Sequence, residues 1–212
     1  MLSLKVIISS TREGRNAEHV IPWLLDRVGQ RDDFDVDVLD LRDWPLPMFR
    51  ENMQTIGDIT DPTYSDPIVK QWNQRIKQGD AFLFLTTEYN HSIPGELKNA
   101  IDNVFVSFAF RNKPSAFVGY STGSGAGVRA IEHLAQILIE AESAPLRNTV
   151  IIPNVTTAFE GTSPKDARTD ASLTIALDDL AWWATALQQA RAAGELPPGS
   201  FRLRAAMAAR NA

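Results

Sequence analysis

The stretch DAFLFLTTEYNHSIPGELKNAIDNV, residues 80–104, decides how the chain is read. Its segment AFLFL is apolar at every position and is bounded by Asp80 and Thr86. A strand wetted on one face would alternate apolar with polar residues; a continuous apolar run reads as a strand buried on both faces, as in parallel sheets. A largely polar loop follows, and Pro94 is well placed to open a helix. Beyond it Leu97, Ile101, Val104 and Phe108 recur at helical spacing.

The same unit repeats to either side. Leu4–Ile8, Ala116–Tyr120 and Val150–Ile152 are further apolar strands, and Asp35–Leu41 alternates Val36, Val38 and Leu39 with acids. Helical periodicities carry Val20, Leu24, Leu25 and Val28, then Val128, Ile131, Leu134 and Leu138, then a last helix near Ser172–Ala193. Five such units in about 190 residues predict an α/β fold of three layers, doubly wound around a five-stranded parallel sheet. The total of 212 residues suits one domain with decoration. The reading places that domain at 1–195, with an insertion at about 44–67 and a helical tail at 196–212. The insertion holds Pro45, Pro47, Pro62 and Pro67. It is too long for an ordinary connection, so it reads either as an active-site lid or as a partner-facing loop.

Composition narrows the chemistry. There is no cysteine, which excludes disulfides, thiol nucleophiles, cysteine zinc sites and iron–sulfur clusters. The net charge of −5 counts against nucleic-acid binding, and Arg202, Arg204 and Arg210 read as a solvated tail. No apolar run reaches the roughly 18 residues of a membrane span. The N-terminal MLSLKVIISS reads as a strand and not a signal peptide, so the expected location is cytoplasmic.

Ligands of open parallel sheets bind at the carboxyl ends of the strands, where strand order reverses. Three loops belong there. Ser9–Asn16 offers hydroxyls, a helix start and the guanidinium groups of Arg12 and Arg15, a set suited to an anion. It contains neither GxGxxG nor GxxxxGK[ST], so a mononucleotide monophosphate suits it better than a dinucleotide. An ordinary helix start with two surface arginines would look the same. The second loop is Thr86–Gly95. The third, Gly119–Gly127, has four glycines, which let backbone approach a flat ligand closely.

These segments carry a resemblance. TTEYNHSIPGELKNAIDNV resembles the PEYN-x-x-x-P-G-x-L-K-N-A-I-D signature of the NADPH-dependent FMN reductase family of flavodoxin-like proteins. SSTREGRN resembles its phosphate loop, and KPSAFVGYSTGSGAGVRAIEHLAQIL its third flavin loop and following helix. Thr87 departs from the usual proline, and Thr122-Gly123 stands where a Gly-Gly pair is common. The resemblance implies FMN, with NADPH or NADH as reductant and a small-molecule electron acceptor such as a flavin or quinone. It implies that Ser10, Arg12, Arg15 and Asn16 hold the phosphate. Thr87, Glu88, Tyr89 and Asn90 would line the isoalloxazine, and Ser121, Thr122 and Gly123 would close its other edge. Flavin N5 would take the hydride, so no protein side chain is expected to be catalytic. A flavodoxin-like electron carrier and a non-catalytic flavin-binding protein are the alternatives.

Single residues carry further expectations. His91 is a candidate for contact with nicotinamide or substrate, while His19 and His133 read as surface residues. No metal site is expected, and Asp37, Asp40 and Asp43 read as solvated acids at a strand end. Trp182 and Trp183 read as core. Lys98 and Asp102 are spaced for a surface pair or an intersubunit contact. Phe105 and Phe110 look exposed, which, beside the apolar face of residues 94–108, suggests a homodimer or homotetramer.

Overall fold

A computed structural model describes residues 1–52, 54–58 and 62–210. Parts of the insertion (53 and 59–61) and the end of the tail (211–212) lie outside the described residues. The expected strands form β1 (Leu2–Ile8), β2 (Phe34–Asp40), β3 (Ala81–Thr87) and β4 (Pro114–Tyr120). All pair parallel, in the order β2-β1-β3-β4. The fifth position is split into β5 (Ala144–Pro145) and β6 (Val150–Ile152), both on the free edge of β4. Pro145 brings no N–H to the ladder, and strand pairing resumes only at Val150. A two-stranded hairpin of β7 (Phe159–Glu160) and β8 (Ser163–Pro164) stands apart from this sheet.

Strand period two divides the core into two layers. Leu4, Val6, Ile8, Leu83 and Leu85 face α1 (Ile21–Gly29) and α5 (Ala167–Ala193), meeting Trp23, Leu24, Leu173 and Leu177. Ile7, Phe82 and Phe84 face α2 (Pro67–Gln78), α3 (Gly95–Phe105) and α4 (Val128–Glu140), meeting Trp72, Ile101 and Leu134. The chain leaves β1 for β2 on one side and returns to β3 on the other, so strand order reverses at β1. This is the doubly wound flavodoxin-like arrangement. The carboxyl ends of β1 and β3 flank its crevice.

Several side chains depart from expectation. α2 is a helix that the sequence reading did not single out; Asp66 caps it by accepting the N–H of Ile68 at 3.0 Å, and Pro67 opens it. α3 stops at Phe105, and Phe108 turns back with φ +53°. Phe110 is not exposed but 1% accessible, packed on Phe82 at 4.7 Å. Trp182 and Trp183 are not core: they are 67% and 43% exposed, because Leu173, Ala176, Leu177, Leu180 and Ala184 form the face of α5 that meets the sheet. Asp37 and Asp40 are ion-paired, Asp37 with Lys5 and Arg75 and Asp40 with Arg15. The insertion is docked, since Ile56 and Tyr64 are buried against Val69 and Val106. The tail does form a helix, α6 (Gly199–Arg210), none of whose residues is buried.

Candidate functional site

The three loops meet at the carboxyl rim of the sheet. The first leaves β1 at Ser9, whose amide still pairs with Leu85 of β3 at 3.0 Å. From Ser10 to Asn16 no backbone amide donates to another described residue. The loop keeps its shape through Arg15. Its Nη1 donates to the Ser10 carbonyl at 2.7 Å and to Asp40 at 2.6 Å, its Nη2 to Asp40 at 2.5 Å, and its Nε to Glu18 at 2.9 Å. Burial opposes ionisation of Asp40, but the Arg15 bonds and the Arg42 amide outweigh it and hold this carboxyl below its usual range. Arg15 itself is raised, chiefly by its bond to Asp40. The guanidinium expected to meet phosphate is therefore engaged inside the protein. Arg12 is exposed and has no acidic partner among the described residues; it lies over the Tyr89 ring at 5.4 Å. Asn16 is half-buried at the start of a 3-10 turn that ends at His19.

The second loop is a tight reversal. Tyr89 and Ser92 exchange amide-to-carbonyl bonds of 2.9 and 3.1 Å, with Asn90 and His91 between them at φ +47° and +72°. Two successive positive φ values are the geometry of a type I′ turn, which side chains other than Gly and Asn adopt at a cost in strain. The turn presents His91 to solvent at its tip and turns Tyr89 inward, where its hydroxyl meets Ser10 Oγ at 2.7 Å. Thr87 is buried at the end of β3. Ser92 is also tied to α4 through His133 Nδ1, at 2.9 Å.

The third loop is exposed at Thr122 and Gly123, with Ser121 half-buried and its hydroxyl donating to the Gly123 carbonyl at 2.9 Å. It ends at Gly127, where φ is +80° and a Cβ would stand 2.8 Å from the Tyr120 nitrogen. Only glycine allows the loop to enter α4 this close to β4. Arg129, in the first turn of α4, pairs with Glu88 of the second loop. The other Glu88 oxygen, Oε2, and the hydroxyl of Ser9 are buried without a hydrogen-bond partner. Buried polar atoms are normally satisfied, so these two mark places where a ligand or solvent completes the site.

Ser10 and Tyr89 are brought into contact and Glu88 is joined to Arg129, whereas Asn90 and His91 are exposed at the turn. Sequence reading missed Ser9, Asp40 and Arg129. The parallel register that sets Asp40 opposite Ile8 could have found the second, and the lone arginine after the glycine-rich loop could have found the third. A cavity of about 680 Å3 adjoins the first loop, lined by Thr11, Leu41, Arg42, Trp44, Pro45, Leu46, Met48, Gly95, Glu96 and Asn99. Among the described residues no group of three or more His, Asp or Glu is placed to hold a metal ion, and no helix is long and apolar enough to cross a membrane.

The family model of NADPH-dependent FMN reductases matches residues 2–157, which contain all three loops. The chain belongs to this family. It is an oxidoreductase whose cofactor is FMN and whose reductant is a nicotinamide dinucleotide. As a member, this FMN reductase-family chain is 31% identical over 149 residues to an NAD(P)H-dependent FMN reductase of Schizosaccharomyces pombe, covering 70% of this chain and 72% of the relative. It is 38% identical over 95 residues to a quinone reductase of Pseudomonas putida, covering 40% of this chain and half of that relative. In fold it is similar to FerB, a flavoenzyme NAD(P)H:(acceptor) oxidoreductase from Paracoccus denitrificans. That match has a TM-score of 0.69 at 22% identity over 87% of this chain and 98% of the other.

Proposed function

We propose that this chain passes hydride equivalents from NADPH or NADH to a small acceptor of the quinone or flavin type, in two half-reactions on one face of its FMN. The observation that carries the reading is the three-loop rim, with its free amides from Ser10 to Asn16 and its orphaned Ser9 and Glu88 atoms. That donor set fits FMN: amides, hydroxyls and one uncommitted guanidinium for a phosphate, and glycine-rich backbone for a flat ring. Bound FMN would supply the hydride chemistry at N5, so the protein's work is alignment and electrostatics.

Ser10, Asn16, the loop amides and Arg12 hold the phosphate, while Arg15 braces the loop from within. Thr87, Glu88, Tyr89 and Asn90 line one edge of the ring slot, and Ser121, Thr122 and Gly123 the other. Glu88, held by Arg129, keeps the second and third loops at a fixed separation. His91, at the tip of its turn, lines the open face where reductant and acceptor enter in alternation. The working form is a homodimer or homotetramer acting in the cytoplasm. The relative named as a quinone reductase supports the acceptor class.

Initial rates with NAD(P)H and a quinone both varied test this. Parallel double-reciprocal lines are expected; intersecting lines with a ternary complex would overturn the shared face. Absence of turnover with bound FMN would favour an electron carrier instead. Light scattering at micromolar protein should show at least a dimer, and a monomer would refute that part.

A further inference from the structure

The cavity beside the phosphate loop is left unused by the flavin reading, and its walls differ in chemistry. Trp44, Pro45, Leu46 and Met48 form an apolar side; Arg42 and Thr11 stand on the side of the first loop. The apolar side is held in place. Asn99 accepts the Phe49 N–H at 2.8 Å and donates to the Pro47 carbonyl at 2.9 Å, and Asn103 donates to the same carbonyl at 3.0 Å. Trp44 is also set edge-on against Trp72 at 5.1 Å. Both asparagines are buried, so this strap is a preformed wall and not a loose flap.

The opposite side is cationic. Arg42 engages Glu18 at 2.9 Å and the Arg12 carbonyl at 2.6 Å, which leaves part of its five-donor fork open. The Arg12 guanidinium is turned away from this cavity, over the Tyr89 ring, so Arg42 is the cation on its wall. One carboxylate lines the cavity, Glu96, and it accepts the Thr11 hydroxyl at 3.2 Å. The unused donors of Arg42 suit an anion, and the tryptophan wall favours a flat ring. A quinone would use the wall alone. A purine nucleotide uses both. The volume of about 680 Å3 lies in the usual range for a small-molecule site.

We propose that this cavity binds the adenylate half of the nicotinamide dinucleotide, its purine against Trp44 and Met48 and its phosphate toward Arg42. The proposal rests on the reading of this chain as a nicotinamide-dependent FMN enzyme. Its test uses the FMN-loaded protein and two reductants: NADH, and reduced nicotinamide mononucleotide, which lacks the adenylate. Trp44→Ala should raise KM for NADH by about three- to ten-fold, the size of a lost stacking contact, and Arg42→Gln by about ten-fold or more, the size of a lost charge-assisted bond. KM for the mononucleotide should not follow. Calorimetric titration with AMP at saturating FMN, which needs no turnover, should show binding weakened by the corresponding factor in each variant. Equal KM changes for the two reductants, AMP binding indifferent to both substitutions, or a KM rise confined to quinone would each overturn the assignment. Failure to load FMN would instead sink the flavin reading, and AMP titration of the unloaded variants would still test the cavity.

Discussion

Replacing Asp40 with Asn would separate the architecture of the phosphate loop from its chemistry. The Arg15 guanidinium is 3% exposed and Asp40 20%, and two bonds of 2.5 and 2.6 Å join them. Breaking a fully buried pair costs about 3–5 kcal/mol, and an exposed one about 0–1. With Glu18 and the Ser10 carbonyl still holding Arg15 and Asp40 partly wetted, about 2–3 kcal/mol is expected. For a chain of this size that lowers Tm by about 4–12 °C. The depressed carboxyl pKa of Asp40 means that its contribution is complete above the unfolded value of 3.8 and is lost as pH falls below it. Urea unfolding of both proteins without FMN, at pH 7 and again near the acid limit of folding, reads this directly. The two curves should differ at pH 7 and converge in acid. Equal stability at pH 7 would refute the account of Arg15 as a brace.

Other substitutions should divide between stability and ligand. Arg12→Ala removes an exposed guanidinium that makes no ion pair among the described residues, so unfolding should be unchanged while FMN affinity falls by about 1.5–3 kcal/mol in fluorescence titration. Unchanged affinity would take Arg12 out of the site. Gly127→Ala forces a Cβ to 2.8 Å from the Tyr120 nitrogen at φ +80°, and should cost about 1–3 kcal/mol, measured by denaturation. Tyr89→Phe deletes the bond to Ser10 and should weaken FMN binding by about 0.5–1.5 kcal/mol, with a wild-type affinity counting against that contact.

The central strands were legible because burial on both faces leaves an unbroken apolar run, as in AFLFL, whereas their order around β1 emerges only from the pairing. The faces of long helices were less legible. Trp182 and Trp183 read as core by residue type alone, yet the sheet-facing positions of α5 are taken by leucines and alanines. Phe110 read as surface because it follows a helix face in sequence, and the turn at Phe108 folds it under. In the site, the three loops were legible as segments at the carboxyl ends of strands, rich in hydroxyls, arginine and glycine, and their flavin roles rested on the family resemblance. Their cross-braces were not legible, since Arg15–Asp40 and Glu88–Arg129 join residues 25 and 41 positions apart that only the fold brings together.

The central claim, that the three-loop rim holds an FMN reducible by a nicotinamide dinucleotide and reoxidised by a small acceptor, has one direct measurement. Protein loaded with one equivalent of FMN is mixed anaerobically with NADPH or NADH, and its visible flavin band is followed before a quinone is added. Loss of the band with reductant alone, and its full return on addition of the quinone, is the predicted result. A band that survives the reductant until the quinone is also present would contradict the account.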